Sequence, residues 1–154
     1  MEVVIFVGVQ GAGKSSFFRE RFFDSHVRIN LDMLKTRFRE RVLLEACLQA
    51  KQRFVVDNTN PTVEDRGRYI KPAKEHGFRV VGYFFQCDLE DCKRRNGQRS
   101  PEQVVPLVGL LATYKKLVVP SFSEGFDALY VVRNGGDYSF TVEEIINKYE
   151  TNYP

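Results

Sequence analysis

The 154-residue chain has no tryptophan, two histidines, two methionines and three cysteines. Cys47, Cys87 and Cys92 are odd in number and show no Cys-x-x-Cys spacing. That pattern argues against a disulfide framework and against a structural zinc site, so all three are expected as buried or partly buried thiols. No apolar run is long enough to span a bilayer, which sets membrane residence aside. Met1-Glu2 leads into an apolar stretch without a basic leader or cleavage site, and residence in the cytoplasm is the expectation. Internal repeats, low-complexity tracts and linker-like stretches are also missing. A chain of this length buries about 68–70% of its unfolded surface, so residues 1–154 are read as one domain that needs no covalent staple.

What is present is charge, unevenly spread. Residues 1–116 hold 21 Lys and Arg against 14 Asp and Glu, whereas the remainder holds two basic residues against six acids. A basic body suits anionic partners such as nucleotides or a nucleic-acid backbone, and most of its individual side chains also fit a plain solvated surface.

Gly8-Val9-Gln10-Gly11-Ala12-Gly13-Lys14-Ser15 fits the P-loop pattern GxxxxGK[ST]. Its glycines let successive backbone N–H groups turn inward around phosphate, the Lys supplies charge, and the Ser hydroxyl suits a metal ion. The context agrees: Val3–Val7 is a run of strand formers, and the segment from Lys14 to Phe23 has helical spacing. Gly8, Gln10, Gly11, Ala12, Gly13, Lys14, Ser15 and Ser16 are therefore the expected nucleotide contacts, with Mg2+ at Ser15.

Further strands are expected at His26–Leu31, Phe54–Val56, Arg79–Phe85 and Ala128–Val132. Between them, residues 33–52 carry one long helix or two short ones, and Thr62 caps a helix that Pro72 should kink or split. Asp88 can cap a helix over Leu89–Asn96. Ser100-Pro101-Glu102-Gln103 reads as a capping box, Pro106 as the start of another helix, and Thr141 as the cap of a last helix carrying Ile145, Ile146 and Tyr149. Strands alternating with helices give an α/β fold of three layers around a parallel sheet of about five strands.

Ligands of such sheets lie beyond the carboxyl ends of the strands, where three further groups converge. Asp32 follows the second strand and fits two roles, a base that accepts a hydroxyl proton or the N-cap of the next helix. Asp57, with Asn58, Thr59 and Asn60, fits a Walker-B carboxylate supporting magnesium and fits ordinary turn chemistry as well. Lys93-Arg94-Arg95-Asn96-Gly97-Gln98-Arg99 fits an arginine-bearing lid or a solvated basic face.

Taken in order, the P-loop, Ile29-Asn30-Leu31-Asp32, Val56-Asp57-Asn58-Thr59-Asn60-Pro61, the pair Arg95 and Arg99, and Val105-Pro106 resemble the kinase domain of polynucleotide 5'-hydroxyl kinases. Arg66 to Ala73 and the stretch from Tyr114 to Phe126 are similar to the animal DNA-repair member, so the resemblance runs over residues 3–133. It implies a P-loop kinase fold with a helical lid that moves the γ-phosphate of ATP or another NTP, with Mg2+, to the 5'-hydroxyl of DNA or RNA. It also implies roles: Asp32 as general base, Lys14, Arg95 and Arg99 as catalytic cations, and Lys35 with Asp57, Asn58, Thr59 and Asn60 on the acceptor side. Viral members have an arginine where Lys35 stands, and lysine keeps the charge but not the bidentate fork. Neither an Asp-x-Asp phosphatase signature nor an adjacent His-Asp pair is present, so a kinase without phosphatase is expected. A P-loop kinase for a small alcohol, or an NTP-binding ATPase or switch, is the rival reading.

Overall fold

The structure is a computed structural model that describes residues 1–135 and 139–147. Its strands are β1 (Glu2–Val7), β2 (Val27–Ile29), β3 (Phe54–Val56), β4 (Arg79–Gln86), β5 (Ala128–Asn134) and β6 (Phe140–Ile145). Its helices are α1 (Lys14–Arg21), α2 (Leu31–Leu34), α3 (Arg37–Ala50), α4 (Val63–Glu75), α5 (Leu89–Gly97) and α6 (Leu107–Lys116), followed by a 3-10 turn at Phe122–Glu124. The sheet order is β2-β3-β1-β4-β5-β6; the first five strands pair in parallel and β6 runs antiparallel to β5.

Residues of β1 alternate between the two faces of this sheet, and both faces are covered. Val3, Ile5 and Val7 join Leu44, Leu48, Tyr69 and Ile70 of α3 and α4, whereas Val4 and Phe6 join Phe17 and Phe18 of α1 and Cys92 of α5. That period of two, buried on both sides, makes β1 a continuous apolar run in sequence. The second face is strongly aromatic: Phe6 packs edge-on against Phe17 and Phe85 with ring centroids 5.9 and 4.9 Å apart. Three layers with the P-loop at the centre are thus the observed architecture.

Four expectations are corrected. The segment from Thr141 is not a helix but β6, because Phe140 and Val142 alternate onto the aromatic face and the strand closes the open edge of β5; Tyr149 lies outside the described residues. Cys87 and Cys92 are joined in a disulfide, since the turn at Asp88 brings their Cα atoms within 6.2 Å, and Cys47 alone is a free, buried thiol. Residues 101–103 form a turn, and the helix that follows begins at Leu107 with Pro106 as its cap. Pro72 does not split α4, as it falls in the last turn of a helix firmly started by the Thr62–Asp65 capping box. No helix among the described residues is long and apolar enough to cross a membrane.

Candidate active site

The P-loop joins β1 to α1 through two residues in left-handed backbone, Gly11 (φ 82°) and Gly13 (φ 98°), a region open to glycine at little cost. The Lys14 Nζ donates to the Gly8 and Val9 carbonyls at 2.8 and 2.7 Å, curled beneath the loop it serves. Desolvation there pushes the ammonium down to about 8; Asp57 opposes the shift, Arg99 adds to it, and Asp32 opposes it. One lysine thus feels groups from three separate segments of the chain, 18 to 85 positions away in sequence.

Of the other loop residues, Ala12 is buried and Ser16 is exposed on α1. Gln10 Nε2 donates to Thr113 Oγ1 on α6 at 3.3 Å. Ser15 Oγ donates to Asp57 Oδ2 at 3.0 Å. The other carboxylate oxygen of Asp57, Oδ1, is buried without a hydrogen-bond partner in a residue that is 1% exposed.

Asp57 begins a segment that braces the loops around it. Thr59 O accepts from Gly8 N at 3.0 Å, and Asn60, at φ 46°, donates from Nδ2 to Phe6 O at 2.8 Å. Asn60 is therefore buried beneath the site, its side chain committed to the β1 backbone. Asn58 reaches the opposite way, accepting the Leu31 N–H at 2.8 Å. Its Nδ2 also donates to Glu40 Oε2 and to Tyr69 Oη, at 3.1 and 3.2 Å.

Asp32 sits in the first turn of α2 and is exposed. It does not cap that helix: Asn30 does, its Oδ1 accepting from Met33 N at 2.9 Å while its Nδ2 donates to Asp57 O at 2.6 Å. The Asp32 carboxylate is thereby left facing solvent. Lys35 closes α2 at φ 73° with its side chain exposed. Arg95, on α5, donates to Asn134 O at 3.3 Å at the end of β5. Arg99 lies past the end of α5, so the two arginines do not share one continuous helix.

Three residues that sequence reading missed complete the site. Arg28 donates from Nε to Asp57 Oδ2 at 2.9 Å and from Nη2 to Ser15 Oγ at 3.0 Å. Glu40 is 2% exposed and accepts from Arg37, Tyr69 and Asn58, so its buried charge is fully partnered. Tyr69 Oη accepts from Arg37 and Asn58, and burial with the neighbouring Glu40 raises its pKa. The sequence carried no signal for Arg28, because a polar residue alternating with Val27 and Ile29 on an edge strand reads as an ordinary solvent-facing position.

A family described as AAA domain matches residues 3–110, from β1 into α6. The chain belongs to this AAA domain family. Relatives of this AAA domain are named bifunctional polynucleotide phosphatase/kinase in Acanthamoeba polyphaga mimivirus, 32% identical over 138 residues, and in Schizosaccharomyces pombe, 28% identical over 130 residues. These matches cover 85 and 81% of the chain but 33 and 32% of the relatives, so the chain spans about a third of their length. Among solved structures, a gluconokinase from Sinorhizobium meliloti superposes with a TM-score of 0.62 at 17% identity, over 89% of this chain and 85% of that one. The AAA domain thus has the fold of a P-loop kinase.

Proposed function

We propose that the chain transfers the γ-phosphate of ATP or another NTP to the 5'-hydroxyl of a DNA or RNA strand. The observation that carries the reading is the hydrogen-bonded link from the P-loop to the acceptor side: Ser15 donates to Asp57 at 3.0 Å, and Asn30, the cap of the short helix that bears the exposed Asp32, donates to the Asp57 carbonyl at 2.6 Å. The polynucleotide kinase relatives supply the acceptor class.

In this reading the backbone N–H groups of residues 8–15 and the amino end of α1 cradle the donor phosphates. Lys14 leaves the Gly8 and Val9 carbonyls for them, and Arg95 and Arg99 add positive charge from the lid. Asp32 takes the proton of the 5'-hydroxyl as its oxygen bonds to the γ-phosphorus; the bond from that phosphorus to the β–γ bridging oxygen breaks, and its electrons leave with the NDP. In this reading Lys35, which ends α2 three residues beyond Asp32, serves the acceptor side.

A divalent ion fits Ser15 and Asp57, since the orphaned and buried Asp57 Oδ1 is an acceptor that calls for a cation. When bound there it would neutralise charge on the donor phosphates. A cavity of about 600 Å³ between α3 and α4 is lined by Arg37, Arg41 and Arg68 together with Glu40 and Glu45, and its three arginines could meet the phosphates of a strand.

The test offers γ-labelled ATP with 5'-hydroxyl DNA and RNA oligonucleotides, nucleosides and small sugar alcohols to the wild type and to Asp32→Asn. Transfer to an oligonucleotide is expected, weakened by salt, and Asp32→Asn should lower its turnover by about 10²–10⁴-fold. Undiminished transfer by the variant refutes the base, and transfer to small alcohols alone refutes the acceptor.

A further inference from the structure

The pair that would hold the divalent ion already faces a cation. Arg28 lies in the middle of β2, on the face of the sheet that α1 covers, because Val27 and Ile29 on either side pack into the opposite core. Its guanidinium closes a triangle: Nε to Asp57 Oδ2 at 2.9 Å, Nη2 to Ser15 Oγ at 3.0 Å, and Ser15 Oγ to the same Asp57 oxygen at 3.0 Å. The guanidinium also stands 5.8 Å from the centre of the Phe18 ring on α1. Sheet order makes this possible, since β3 separates β2 from the P-loop strand and delivers Asp57 between them.

A serine hydroxyl has one proton and two lone pairs. Here the proton goes to Asp57 and one lone pair goes to Arg28, while the carboxylate it leans on is neutralised by the same guanidinium. A divalent ion entering at Ser15 therefore meets a resident positive charge and a carboxylate that is already paired. Arg28's side chain is 27% exposed, so it has a route to solvent, whereas Asp57 at 1% has none. The movable member of the triangle is the arginine.

We infer that Arg28 is an internal counter-ion of the metal position: it holds Ser15 and Asp57 in the nucleotide-free protein and is exchanged for the divalent ion when the metal–nucleotide complex binds. Arg28 thereby sets how strongly nucleotide binding depends on metal. With metal absent, its charge remains beside the phosphate cradle and supports binding of the bare nucleotide; with metal present, its displacement subtracts from the gain. This rests on the reading of Ser15 and Asp57 as the metal-holding pair and is independent of the acceptor.

The experiment is titration calorimetry of ADP, once with excess Mg2+ and once with a chelator, on the wild type, Arg28→Gln, Arg28→Lys and Asp57→Asn. The quantity read is the ratio of the metal-free Kd to the Kd with Mg2+. Arg28→Gln should weaken metal-free binding and tighten binding with Mg2+, raising the ratio about tenfold, the scale of one charge-assisted contact. Arg28→Lys keeps the charge without the two-point fork and should raise the ratio by a smaller factor, about threefold; it serves where the glutamine variant does not fold. Asp57→Asn should bring the ratio down toward one. An unchanged ratio in a folded Arg28 variant, with Asp57→Asn lowering it, overturns the counter-ion alone. An unchanged ratio in Asp57→Asn overturns the metal reading beneath it.

Discussion

Asn58 accepts the Leu31 N–H at 2.8 Å and so ties the end of β3 to the residue immediately before Asp32. The tie is stiff because Asn58 is itself held, donating to Glu40 and Tyr69, which share Arg37. α2 has only four residues and no buried side chain, too little to fix the Asp32 carboxylate by packing. Asn58→Ala should therefore lower turnover while leaving ADP affinity within about twofold; a loss on the order of 10²-fold corresponds to about 1 Å of misplacement. Steady-state kinetics beside calorimetric ADP binding separates the two. Equal losses in both would show that Asn58 serves the donor pocket instead.

Lys14 gives the donor side a pH signature. Its native pKa, pushed down to about 8 by desolvation, lies below the ordinary 10.5. Between those values the unfolded chain holds a proton that the native protein has lost, so this group's contribution to stability rises with pH across that window and is flat below it. Nucleotide phosphates restore the charged form. ADP binding should consequently take up close to one proton at pH 9 and almost none near pH 7, with affinity falling as pH rises past 8. Calorimetry in buffers of different ionisation enthalpy reads the uptake directly. Lys14→Met should abolish it.

How much of this could be read from sequence follows the range of each signal. The P-loop was legible because its whole meaning is local: a strand, two left-handed glycines and a helix start within one stretch. Asp32 was only half legible, as an Asp before a helix fits both a base and a cap; Asn30, two positions earlier, takes the cap and releases it. Thr141-Val142-Glu143-Glu144 carried a helix-start pattern and a period of two at once. The open edge of β5 decides between them, and no neighbouring residue announces it. Arg28 and Asp57 are 29 positions apart, Arg66 and Glu124 58. Their meaning belongs to strand order and chain reversal, which composition and periodicity do not specify.

That last pair predicts stability more than chemistry. Arg66 is 0% exposed and meets Glu124 with two parallel contacts, Nε to Oε1 at 2.6 Å and Nη2 to Oε2 at 3.0 Å. Its Nη1 also donates to the carbonyls of Asn60, Pro61 and Val118, which pins the turn after β3 to the strap that follows α6. Removing one member leaves a buried charge unpartnered, at a cost of about 3–5 kcal/mol. At roughly 2–4 °C per kcal/mol for a chain of this size, Glu124→Ala should lower Tm by about 10 °C. Thermal denaturation followed by circular dichroism checks this. A shift of about 2 °C or less would mean that the backbone carbonyls alone satisfy Arg66.

The two left-handed glycines of the P-loop should differ in tolerance, because different atoms crowd them. A Cβ on Gly11 would stand 2.6 Å from the Cys92 carbonyl oxygen and 3.1 Å from Asn96 N, both backbone atoms of α5. On Gly13 it would stand 3.0 Å from Asn134 Nδ2 and 3.1 Å from the Phe140 ring, which are side-chain atoms able to turn aside. Both substitutions carry the left-handed cost of about 1–2 kcal/mol for a residue with a Cβ. Only Gly11→Ala must also push a helix away from the loop. Gly13→Ala should accordingly weaken ADP binding by roughly tenfold, the equivalent of that backbone cost, and Gly11→Ala should weaken it at least tenfold further and displace α5 with Arg95. Calorimetric Kd values for the two variants rank them, and equal losses would place the P-loop farther from α5 than the 2.6 Å approach implies.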